Sequence, residues 1–168
     1  DWAVAFAIPA DTEGVKLVVR PAYLRKRKKL DAPIFNFGDA ESLTIFDDVF
    51  VPWDRVFMCG EWEYGRALAL LFALYHRHSY TGCKPAVTDV LGGAAALIAE
   101  CNNIENASHV QDKLSHFIGL SELVYAAGIA SAHYAKESPS GTYVPDPVYT
   151  NAGRRLAGEN IYHEYELL

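Results

Sequence analysis

Residues 68–86 read LALLFALYHRHSYTGCKPA. The Ala/Leu run is free of Pro and Gly as far as Gly82, which predicts a buried helix from about Glu61 to Tyr80. Its tail changes character. With His76 at position i, Tyr80 is i+4, Cys83 is i+7 and Lys84 is i+8, so all four fall on one helical face, while His78 points elsewhere. Imidazole, phenol, thiol and ammonium all need partners when buried, so the stripe marks a candidate site. Two turns of helix separate His76 from Cys83 by about 10 Å, too far for one mononuclear ion but suited to two corners of a multi-atom cluster. The competing readings are ordinary: a core or interface histidine, a packed tyrosine, and a lysine capping a helix end before Pro85.

Around this stretch the chain is globular in composition. Its 168 residues are 51% hydrophobic and carry a net charge of −6, which gives no reason to expect nucleic-acid binding. The apolar run at 67–75 is far shorter than the roughly 20 residues of a membrane span. Three cysteines, Cys59, Cys83 and Cys101, form no disulfide framework and point to a reducing, cytoplasmic setting. The chain opens on DWAVAFAIP, a strand already under way, and stops on NIYHEYELL, mid-helix, so a piece of a longer protein is expected.

Two structural regimes follow one another. Residues 2–8, 15–20 and 42–52 read as strands, the first two split by the turn cluster PADTEG. From residue 61 the pattern is helical. AVTDVLGGAAALIAECN continues the first helix, with a kink or break expected at Pro85. Residues 108–135 form an amphipathic helix with Ser108 as N-cap; ESPSGTYVPDP is a loop, and helix resumes near Asn151. The fold class is α+β, with one domain piece over residues 1–60 and a second, helical one over 61–168. The basic run RKRKK at 25–29 reads as a solvated loop or as a contact for ligand phosphates.

YHRHSYTGCK, together with DWAVAFAIPADTEG, FDDVFVPWDRVFMC, DVLGGAAALIAE and ASHVQDKLSHFIGLSELVYAAGIA in the same order, resembles the 4-hydroxybutyryl-CoA dehydratase family. FDDVFVPWDRVF is shared with the flavin-dependent 4-hydroxyphenylacetate hydroxylases of the same superfamily, and the discriminating feature is His-x6-Cys. The resemblance implies an acyl-CoA-dehydrogenase-like fold, the end of a β domain followed by the start of a helical bundle. It also implies FAD, a [4Fe-4S] cluster and a homotetramer. His76 and Cys83 match two cluster ligands, and two further cysteines belong to an N-terminal domain absent from this chain. Tyr80, Lys84 and Glu41 match active-site positions. Of these, Lys84 is placed beside the flavin, and Gln111 and Lys113 lie where such folds meet a neighbouring subunit's flavin.

The implied reaction is dehydration of 4-hydroxybutyryl-CoA to crotonyl-CoA with isomerisation of vinylacetyl-CoA. The difficulty is an unactivated β-proton. The resemblance implies a radical route in which FAD takes up and returns an electron and the cluster acts as a Lewis acid. His76 doubles as a base, and Tyr80 and Glu41 position substrate or relay protons. Two other readings compete: a reduced-flavin-dependent phenol hydroxylase without a cluster, in which His76 and Cys83 are structural, and a helical interaction module without cofactors. RKRKK and the segment PDPVYTNAGRRLAGENIYHEYELL depart from the dehydratase pattern.

Overall fold

A computed structural model describes residues 3–19 and 41–168. RKRKK at 25–29 lies outside the described residues. The chain divides into two compact units, Asp1–Gly65 and Arg66–Leu168.

Among the described residues the first unit holds two antiparallel ribbons. Strand β1 (Val4–Phe6) pairs with β4 (Val56–Cys59), and β2 (Val15–Val19) pairs with β3 (Ser42–Phe46). PADTEG is the turn its composition predicts: Thr12 N–H donates to Pro9 O, and Gly14 enters β2 at φ 86. A side chain at Gly14 would strike the Asp47 carbonyl, whose own residue is tied back by Asp47 N–H to Gly14 O at 3.0 Å. The expected strand over 42–52 stops at Phe46. Asp48 adopts a left-handed φ of 52, which ends the pairing, and the chain restarts through a 3-10 turn at Trp53–Arg55 into β4. Phe6 and Phe46 pack edge to face with centroids 5.6 Å apart, joining the two ribbons.

The second unit is built on three helices: α1 (Gly65–Cys101), α2 (Ser108–His133) and α3 (Pro147–Leu167). A two-stranded hairpin, β5 (Lys136–Glu137) and β6 (Tyr143–Val144), interrupts the segment expected to be loop. Helix α1 runs unbroken for 37 residues, about 55 Å. It passes through Pro85, correcting the expected break. Pro85 is buried, and its carbonyl faces the Ser121 hydroxyl of α2 at 3.5 Å, so packing holds a helix that local chemistry alone would interrupt. Two further corrections concern helix starts. Ala107, not Ser108, is the N-cap of α2, and it offers no side-chain cap. Helix α3 begins at Pro147 rather than Asn151, because the Asp146 carboxylate accepts from the backbone N–H groups of Val148 and Tyr149 and Pro147 suits the first turn.

The core of this unit is Leu120, Val124 and Ala157, with Tyr80 and Leu156 packed on it. Small residues allow close helix approach. Gly92 lies against Phe117, and Thr81 of α1 fits against both Gly128 of α2 and Gly153 of α3. By length and composition, α2 is the one helix among the described residues apolar enough to cross a membrane. The interior helix of a soluble protein passes the same test, and α2 contributes Phe117, Leu120 and Val124 to the buried interior.

Candidate active site

The stripe predicted on the first long helix lies in the middle of α1. His76 is exposed, and its ring stacks on Phe72 one turn earlier, centroids 5.5 Å apart at 18°. Tyr80 is half-buried with its ring against the core. The Lys84 ammonium sits 4.8 Å from the Tyr80 ring centroid, a cation–π contact across one helical turn. Lys84 is therefore mid-helix, not the C-terminal cap its place before Pro85 suggested. Cys83 is exposed, and its thiol reaches the Tyr80 carbonyl at 3.6 Å, a weak bond that a stronger partner displaces readily.

The remaining expected residues stand elsewhere. Gln111 and Lys113 are exposed in the first turns of α2. Glu41 is exposed and directly precedes β3 in the first unit. Among the described residues no group of three His, Cys, Asp or Glu side chains gathers to hold a metal ion. On this stretch of helix the described residues offer one imidazole and one thiol, two turns apart and accessible, short of a complete donor set for a cluster.

Beneath the stripe the helix is held by polar contacts. Tyr75 donates to the Tyr143 carbonyl at 2.9 Å, Arg77 donates to the Asn151 side-chain carbonyl, and His78 Nδ1 lies 2.7 Å from Ser131 Oγ. Further along, Ser121 donates to Asp89 at 2.7 Å, and Thr88 donates to the buried Glu164 at 2.9 Å. None of these was expected. The signal available was the recurrence of hydroxyls on the buried side of an otherwise apolar α2, Ser121 and Ser131. In the first unit, the Cys59 N–H donates to the exposed Glu61 carboxylate at 2.6 Å; with the backbone of Glu61 itself, this holds the carboxyl below its ordinary range.

Sequence profiles of 4-hydroxyphenylacetate 3-hydroxylase match both units, the N-terminal profile at residues 1–58 and the C-terminal profile at residues 66–168. The chain belongs to this family. Within it, similarity extends to two kinds of enzyme. The chain is 40% identical over 156 residues to the 4-hydroxybutyryl-CoA dehydratase/vinylacetyl-CoA Δ-isomerase of Clostridium aminobutyricum, covering 90% of this chain and 32% of the relative. The solved structure of an oxygen-tolerant archaeal 4-hydroxybutyryl-CoA dehydratase from N. maritimus superposes with a TM-score of 0.88 at 39% identity, over 99% of this chain and 34% of that one. The oxygenase component of a 4-hydroxyphenylacetate 3-monooxygenase, solved with FAD and 4-hydroxyphenylacetate, superposes with a TM-score of 0.77 at 31% identity, over 98% of this chain and 35% of that one. The chain spans about a third of the length of these relatives.

Proposed function

We propose that this chain is the middle portion of a soluble, cytoplasmic, flavin-dependent enzyme with the acyl-CoA-dehydrogenase-like fold. In our reading it dehydrates 4-hydroxybutyryl-CoA to crotonyl-CoA, isomerises vinylacetyl-CoA, and works as a homotetramer. The observation that carries the reading is the pair His76 and Cys83, both accessible on one uninterrupted helix beside Tyr80 and Lys84. The identity to dehydratases, 39–40%, is somewhat above the 31–36% to the 4-hydroxyphenylacetate monooxygenases and leans the same way.

When bound, FAD supplies one-electron chemistry and a [4Fe-4S] cluster supplies Lewis acidity toward substrate oxygens. His76 and Cys83 would hold two corners of the cluster, the other two ligands coming from cysteines outside this chain. In this reading His76 also takes a substrate proton. Tyr80, its ring fixed between the core and Lys84, offers a phenol of defined position to orient a substrate hydroxyl or carbonyl. Lys84 and Gln111 serve the flavin, and the exposed Glu41 carboxylate relays protons.

Metal analysis of the full-length protein, prepared without oxygen, tests this. About four irons, matching acid-labile sulfide and one FAD per subunit are expected for a [4Fe-4S] flavoprotein, with iron lost in Cys83→Ala. Flavin without iron, unchanged in Cys83→Ala, overturns the cluster. That result would favour the second reading, a reduced-flavin-dependent hydroxylase of phenols, which the likeness to the monooxygenase solved with 4-hydroxyphenylacetate supports.

A further inference from the structure

His78 lies between the stripe residues His76 and Tyr80 in sequence but turns to α2, where its Nδ1 is 2.7 Å from Ser131 Oγ. Ser131 is fully buried, and its hydroxyl also lies 2.9 Å from the Gly128 carbonyl. A carbonyl oxygen only accepts, and a serine hydroxyl carries one proton. Directed at Gly128 O, that proton relieves the repulsion that two bare acceptors would feel at this distance. In that arrangement Ser131 Oγ is the acceptor toward His78, and the imidazole donates through Nδ1–H.

From this geometry we infer that the His78 Nδ1–H···Ser131···Gly128 relay is a positioning device that fixes the rotation of α1 and so the direction in which His76, Tyr80 and Cys83 are presented. Three features converge on it. Helix rotation is the one rigid-body freedom that would turn the whole stripe at once. The neighbouring turn is clamped on its other flank, where Thr81 sits against Gly128 and Gly153 and its hydroxyl donates to the His78 carbonyl at 2.6 Å. The relay also ends on Gly128 itself, so hydrogen bond and close contact engage the same turn of α2. The inference takes the stripe to be the reactive face and so rests on the proposed function, but the proton assignment is independent of it.

The test uses the full-length, cofactor-loaded enzyme in four forms: parent, Ser131→Ala, His78→Ala and His78→Asn. An asparagine amide places an N–H where Nδ1–H was. Solid-state 15N spectra of histidine-labelled protein, with the His78 signal assigned by its absence in His78→Asn, should show Nδ1 protonated in the parent and altered in Ser131→Ala. Turnover of 4-hydroxybutyryl-CoA should fall about tenfold or more in kcat in both alanine variants, as for a misplaced reacting group. KM should stay within about twofold, and His78→Asn should stay near parent turnover. An Nδ1 without its proton overturns the relay. Unchanged kcat in both alanine variants, or no recovery in His78→Asn, overturns the positioning role. A parent that lacks dehydratase turnover removes the proposed function; the 15N result then still decides the relay, and the same kcat comparison with a phenol substrate decides its positioning role.

Discussion

Gly153→Ala tests the point where the three helices meet. An ideal Cβ at Gly153 would lie 2.7 Å from Thr81 Cγ2 and 3.0 Å from Ala127 Cβ. Carbon atoms at rest stand about 3.5–4.0 Å apart, so both contacts are repulsive. Neither neighbour yields easily. Ala127 has no rotamer to change, and Thr81 is β-branched, 2% exposed and pinned through its hydroxyl to the His78 carbonyl. Overpacking of this kind costs about 1–3 kcal/mol. Alanine at a helix-interior glycine returns up to about 1 kcal/mol. The net expectation is a loss of about 1 kcal/mol, and at most about 2, seen in far-UV circular dichroism of the full-length protein, about three times as long as this chain, as a thermal midpoint lower by about 1 °C per kcal/mol. Thr81→Ser deletes the offending methyl while keeping the hydroxyl bond. The double variant Gly153→Ala/Thr81→Ser should therefore be more stable than the sum of the singles by at least about 0.5 kcal/mol. A Gly153→Ala protein that melts at or above the parent, or singles that simply add, would refute the packing argument.

Thr88→Val leaves the Glu164 carboxyl, already buried with Oε2 unpartnered, without its Thr88 donor; a destabilisation of about 1–3 kcal/mol is expected in denaturant titration. Lys84→Met removes the cation over Tyr80 while keeping the stem. Stability should change by less than about 1 kcal/mol, whereas turnover should fall far more if the ammonium serves the flavin. For Glu61 the carboxyl is held below its ordinary range, so the corner it ties to Cys59 is favoured above the unfolded-state value and loosens as pH falls through the folded one. The protection of the Cys59 amide, its exchange rate relative to the intrinsic rate at each pH, should accordingly fall on acidification in the parent and stay unchanged in Glu61→Gln.

Periodicity shows wherever one physical cause dominates. The Ala/Leu density of residues 67–75 announced α1 but not its burial, since Leu68, Leu70, Leu71 and Phe72 are exposed and the helix starts at Gly65, and the i, i+4, i+7, i+8 spacing set His76, Tyr80, Cys83 and Lys84 on one face. What periodicity could not show is where two causes compete. Pro85 argues locally for a break, but burial against Ser121 outweighs it, so the helix continues and Lys84 loses its role as a cap. Asp146 and Pro147 carry the start signal of α3, yet they sit in a Pro-rich segment that reads as loop until the cap bonds are seen. The pairing of His78 with Ser131 joins residues 53 positions apart, which only the helix crossing brings together.

The anchoring contacts of α1, through His78, Thr81, Thr88 and Asp89, are made by residues other than His76 and Cys83, which stay exposed. Under the proposed function, this division keeps the scaffold separate from the chemistry it carries. An ancestor could replace an imidazole or a thiol without opening a cavity or breaking an interhelical bond, so each intermediate sequence would remain a folded protein. The superpositions on a dehydratase and on an oxygenase fit one such scaffold carrying two kinds of chemistry.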